Sequence, residues 1–169
     1  MTHHNDAGMP RAEFTGRWGF TTPSGIAKPI HRAFQLLHAA GNVRIATAEA
    51  AGGSCTSTTV LAVANSTTHG SGAMIFVANG GKASCNVTLT GLPLVAGAAN
   101  AAYLLHRIDQ THSNPMGVWE GFGSPPFPSL QQIAQLKAAT EIKGSPVEIK
   151  SGASFKLDVP ANGLAVLVL

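Results

Sequence analysis

Eight carboxylates, Asp6, Glu13, Glu49, Asp109, Glu120, Glu141, Glu148 and Asp158, are the whole supply of side-chain acids in these 169 residues. Glycoside hydrolysis is the reaction that most directly needs two of them, about 5–5.5 Å apart for retention and further apart for inversion. Glu141, Glu148 and Asp158 fall on the polar side of amphipathic stretches and are expected in solvent. Asp109 and Glu120 share a stretch with Arg107, His112 and Trp119, the one polar–aromatic constellation in the chain. Within it, Asp109 is expected first to pair with Arg107 or to turn the chain at Thr111. Other chemistries lack their signatures. Ser, His and Asp are present, but no Gly-x-Ser-x-Gly elbow presents a nucleophile. Gly52-Gly53 and Gly80-Gly81 lack the Lys-Ser/Thr of a phosphate-binding loop and read as turns. Two cysteines without a neighbouring His pair cannot fill the four positions of a zinc site, so neither a metal nor a cofactor is expected.

Cys55 and Cys85 each lie beside a strand-like run. They leave two readings open, a disulfide or two unpaired thiols acting as small apolar groups. Asn65-Ser66-Thr67 and Asn86-Val87-Thr88 are acceptor triplets for N-glycosylation, which matters only on a secretory route. The opening residues, MTHHNDAGMP, have no positive region followed by an apolar core and do not read as a secretory signal.

The elements that must position these groups are legible from composition and period. Apolar residues make up 44% and charged residues 11%, against about 25% charged in an ordinary soluble domain, which excludes disorder. The net charge of +3 is spread thinly, with no basic run to serve nucleic acid. No stretch approaches 18 uninterrupted apolar residues, so a membrane span is not expected. The spacing of Ile30, Ala33, Phe34 and Leu37 predicts a helix over 28–40, with Pro29 in its first turn and Gly41 as a left-handed stop. Short β-rich runs bounded by Gly, Asn, Ser or Pro follow at 43–48, 58–64, 73–78, 86–90, 102–108, 147–150, 154–159 and 164–169. Phe155, Leu157 and Val159 alternate with polar residues, and Tyr103 reads as core. About eight short strands with few helices predict a mainly β fold, an antiparallel sandwich. A second helix over 129–142 is announced by the Ser129–Gln132 capping box, with Gly144 closing it and a long loop over 109–129 before it.

Two stretches carry a family resemblance. One runs Gly8-Met9-Pro10, then Phe14-Thr15-Gly16-Arg17-Trp18-Gly19-Phe20-Thr21-Thr22-Pro23-Ser24-Gly25, then Lys28-Pro29 and its helix. The other runs Tyr103, Arg107-Ile108-Asp109, Thr111-His112, Asn114-Pro115, Trp119, Gly123-Ser124-Pro125 and Ser129. Together they resemble glycoside hydrolase family 39, the β-xylosidases and α-L-iduronidases. The resemblance implies that residues 1–42 are the end and last helix of a (β/α)8 barrel and residues 43–169 a C-terminal β-sandwich. It implies an acid/base Glu in an Asn-Glu pair on an early barrel strand and a nucleophile on a later one, both ahead of this stretch; no Asn-Glu dipeptide occurs here. No catalytic residue is therefore carried over, and the chain alone is expected to be inactive. Trp18, Asp109, His112 and Trp119, near the domain junction, are the candidates for touching carbohydrate. The implied partner is the rest of the barrel, or another chain, over the helix 28–40 face; the implied setting is secreted or lysosome-like. The other reading is a standalone sugar-binding or protein-interaction sandwich that associates with itself through that face.

Overall fold

The computed structural model describes residues 12–16, 19–48, 55, 57–64, 72–92 and 100–169. After helix α1 (Pro29–Ala39) come β1 (Val43–Ile45), β2 (Thr58–Ala64), β3 (Ala73–Asn79), β4 (Cys85–Leu89) and β5 (Asn100–Ile108). Helices α2 (Met116–Gly121) and α3 (Leu130–Ala139) precede β6 (Gly144–Lys150), β7 (Phe155–Val159) and β8 (Gly163–Val168). Six strands form one antiparallel sheet in the order β1-β2-β3-β8-β5-β6, and β4 pairs with β7 in a second. The fold is the mainly β, eight-strand sandwich that the alternating pattern predicts. No described helix is long and apolar enough to cross a membrane.

Side chains alternate along a strand, so each strand of the large sheet feeds two layers. Ala62, Ile75, Val77, Tyr103, Leu105 and Leu167 face the small sheet and pack with its Leu89, Leu157 and Val159. Val63, Met74, Phe76, Ile108 and Val166 face the other way and meet Leu36 of α1. Burying a side chain of this size contributes about 1.5–3 kcal/mol, so both layers stabilise the fold substantially. Leu36 is the helix's buried residue, whereas Ile30, Phe34 and Leu37 are 50%, 52% and 43% exposed. Phe20 joins them edge-on to Phe34, with ring centroids 5.2 Å apart.

Three local expectations need correction. Gly41 is not a left-handed stop: Ala40 leaves α1 in an extended conformation, φ −68° and ψ 152°. Gly144 opens β6 rather than closing α3, which ends at Ala139, where the Thr140 hydroxyl donates to the Lys137 carbonyl at 2.7 Å. The long loop contains α2, a six-residue helix with Gly at its second and last positions and too few apolar residues to show a period.

Among the described residues the two sheets exchange no ladder hydrogen bonds; besides their packed faces, they meet at a corner. There β7 runs through Pro160–Asn162 into β8, from the small sheet to the large one. Asn79, buried at the end of β3, donates its amide to the carbonyls of Val159 (2.9 Å), Pro160 (3.1 Å) and Ala83 (2.8 Å) and accepts from Gly81 N–H. Cys85, opposite Val159 in the small sheet, is disulfide-bonded to Cys55 ahead of β2. Gly163 closes the corner. A Cβ there would stand 2.8 Å from the Pro160 carbonyl oxygen, a backbone atom that cannot swing aside. Gly163→Ala is accordingly expected to cost about 1–3 kcal/mol, read as a lower urea midpoint at unchanged m-value. An unchanged midpoint would show that the corner yields freely.

Candidate functional site

The sequence constellation at 107–119 folds into a tight turn leaving β5. Asp109 N–H donates to the His112 carbonyl at 3.1 Å, and Ser113, at φ +52°, reverses the chain. The Asp109 carboxylate organises this turn. One oxygen accepts from Thr111 N–H (2.8 Å), Thr111 Oγ1 (3.0 Å) and His112 N–H (2.9 Å). His112 Nδ1 lies 2.9 Å from both carboxylate oxygens. The Asp109 side chain is 3% exposed and that of His112 54%. Of the two roles expected for Asp109, turning the chain is the one it performs; Arg107 makes no ion pair with it.

The remaining polar groups of the turn are equally committed. Ser113 Oγ donates toward the carbonyls of Arg107 and Glu141, both at 3.1 Å, tying β5 to the segment after α3. Asn114 donates to the Asp109 carbonyl and accepts from Met116 N–H at the start of α2. Behind the turn, Arg32 of α1 reaches the buried Thr140 hydroxyl at 2.8 Å. Sequence reasoning missed this Arg32–Thr140 contact, which no local motif signals.

Burial acts to raise the Asp109 pKa, but the hydrogen bonds from Thr111 and His112 outweigh it and hold the carboxyl below the usual aspartate range. A depressed folded-state pKa means that the stabilisation is fully present above the unfolded value of about 3.9. It is lost as pH falls through the lower folded value. Asp109→Asn should therefore show a flatter loss of stability below about pH 4 than the parent chain. Parallel acid-unfolding curves for the two would remove the carboxylate from that role.

The other candidate residues are placed as follows. The Trp119 ring is 5.1 Å from Phe14, and its indole N–H donates to the Pro125 carbonyl at 3.0 Å. One ring contact and the indole donor are thus spent within the fold. Glu13 N–H meets the Pro126 carbonyl, while its buried carboxylate accepts from Ser24 N–H at 3.0 Å. The segment before α1 is thereby strapped to the segment after α2. Asn86 and Thr88 lie on the solvent side of β4, with Cys85 and Leu89 inside. Trp18, Asn65, Asp6 and Glu49 lie outside the described residues. Among the described residues, no group of three or more His, Cys, Asp or Glu is placed to hold a metal ion.

The family model "Glycosyl hydrolases family 39" matches residues 2–156. A GH39 enzyme from Xanthomonas axonopodis pv. citri superposes with a TM-score of 0.67 at 20% identity, over 95% of this chain and 34% of that one. A GH39 β-xylosidase from Caulobacter crescentus gives 0.67 at 22% identity, over 96% and 32%. A bacterial orthologue of human α-L-iduronidase gives 0.58 at 24% identity, over 85% and 27%. No curated protein sequence matches the chain. The chain spans about a third of the length of these solved structures, in their C-terminal portion.

Proposed function

This chain belongs to glycosyl hydrolase family 39, and on that premise we propose that it is the accessory C-terminal part of a retaining glycosidase of the β-xylosidase or α-L-iduronidase type. The catalytic carboxylates are supplied from outside these residues. The state of the six described carboxylates supports this reading most directly. Retaining hydrolysis needs two that face each other across one sugar, one of them able to hold a proton near neutral pH. Asp109 is committed to its turn and held ionised. Glu13 is buried against Ser24, while Glu120, Glu141, Glu148 and Asp158 are at the surface.

In the same proposal, residues 1–42 close a (β/α)8 barrel and residues 43–169 form the sandwich that braces it. The uncovered Phe20, Ile30, Phe34 and Leu37 face supports this division, because an apolar stripe of that kind is ordinarily covered. The rest of the barrel, in this protein or in another chain, is its cover. A disulfide fits an oxidising, secreted setting. The purified chain is expected to release no aryl product from aryl β-xyloside or aryl α-L-iduronide above a blank. Added barrel portion should restore turnover. Turnover by the chain alone would overturn the assignment.

A further inference from the structure

Beside the Asp109 turn lies a half-open hollow of about 220 Å³ between the end of β5 and the C-terminal end of α3. Its floor and wall include Val118 and Ala138, and its charged groups are Arg107, His112, Glu141 and Lys143. The neutral polar groups around it are spent within the fold: Ser113 on two carbonyls, Asn114 on a carbonyl and an N–H, Thr111 on Asp109. The Lys137 and Ala138 carbonyls near the end of α3 are spent too, taken by the Thr140 and Glu141 N–H groups. The charged groups are not. Arg107, Glu141 and Lys143 form no side-chain ion pair or hydrogen bond among the described residues, although they line one hollow. His112 is the exception, and an informative one. With Nδ1 held against Asp109, its ring is fixed and Nε2 is left over for another partner.

We propose that this hollow is a binding site for a single sugar ring bearing a carboxylate. The two unpaired cations, Arg107 and Lys143, outnumber the one unpaired carboxylate, and a guanidinium suits a carboxylate in bidentate contact. Glu141 and His112 Nε2 supply acceptors for hydroxyl groups on the same ring. Drug-sized ligands occupy pockets of about 300–1,000 Å³, so the present volume admits one ring and excludes an extended chain. The site uses only residues of this chain. It therefore stands apart from the hydrolase reading: a chain without turnover would bind all the same, and a failed titration would leave the turnover result untouched.

The test is calorimetric and NMR titration of the chain with glucuronate, glucose and acetate. Glucose keeps the ring and lacks the carboxylate; acetate keeps the carboxylate and lacks the ring. The expected result is saturable millimolar binding of glucuronate that shifts the His112 ring resonances, with both controls at least tenfold weaker. Arg107→Met and Lys143→Gln should each weaken glucuronate about tenfold, the usual loss for a charge-assisted hydrogen bond. Neither side chain bonds within the fold, so both variants should stay folded. Glucose or acetate binding as well as glucuronate, or no glucuronate binding by the folded parent chain, would overturn the proposal.

Discussion

Reducing the Cys55–Cys85 disulfide, or replacing both cysteines by Ala, is expected to lower stability by about 3.5 kcal/mol. The bridge closes a loop of sequence separation 30, and the chain entropy that such a closure removes from the unfolded state scales to that size. For a domain of this length, each kcal/mol moves the midpoint by about 2–4 °C, so melting should fall by roughly 10 °C. The location adds to the effect. Cys85 stands at the end of the small sheet, opposite Val159, where no ladder hydrogen bond links it to the large one. Without the bridge, β4 and β7 keep the buried Leu89, Leu157 and Val159 layer, the Asn79 hydrogen bonds and their chain connections to β3 and β8. Thermal scans with and without a reductant measure this. Coincident midpoints would mean that packing already fixes the small sheet.

Asn79→Ala should cost about 3 kcal/mol and act on the same corner. Removing the amide takes away the donor shared by Val159, Pro160 and Ala83 carbonyls, in a residue only 4% exposed. Each buried polar group left without its partner costs about 1–3 kcal/mol. Asn79→Asp separates hydrogen bonding from shape. It keeps an acceptor for Gly81 N–H yet sets a carboxylate against three carbonyl oxygens, so it should be at least as damaging as Ala. Urea unfolding of the three proteins decides the matter, and an Asp variant as stable as the parent would refute the account. Because Cys85 and Asn79 both secure Val159, their combined loss should differ from the sum of the separate losses.

Much of the architecture was legible because period-2 alternation is a local property that burial enforces. Thr58–Ala64 appears at the bounds its Val, Leu and Thr run indicates, and Phe155, Leu157 and Val159 face inward as their alternation requires. The capping box at Ser129 and Gln132 forms in both directions, at 3.3 and 2.8 Å. What escaped was set by distant partners. Nothing near Thr140 announces that its hydroxyl receives Arg32 from a helix more than a hundred residues earlier. Nothing near Asn79 announces the carbonyls of β7. Leu130 belongs to the apolar stripe of its helix by spacing, yet it is 87% exposed because no element of the described chain covers that end of α3. At the candidate site, Asp109 and His112 could be found as chemistry-bearing types. The hollow beside them needed β5, α2 and α3 brought together, and Lys143 enters it only through that assembly.

The order of strands has a consequence for biosynthesis. β8, the last of the described strands, lies at the centre of the large sheet, with β3 on one side and β5 on the other. A ribosome making this protein therefore emits β1, β2 and β3 as one ribbon and β5 and β6 as another, each with an inner edge that has no partner. Neither ribbon can join the other until residue 168 has left the exit tunnel. Unpaired edges of Val- and Ile-rich strands readily recruit other chains. A nascent chain stalled or terminated before β8 would lack the strip that joins the halves, and aggregation rather than partial function should be its fate.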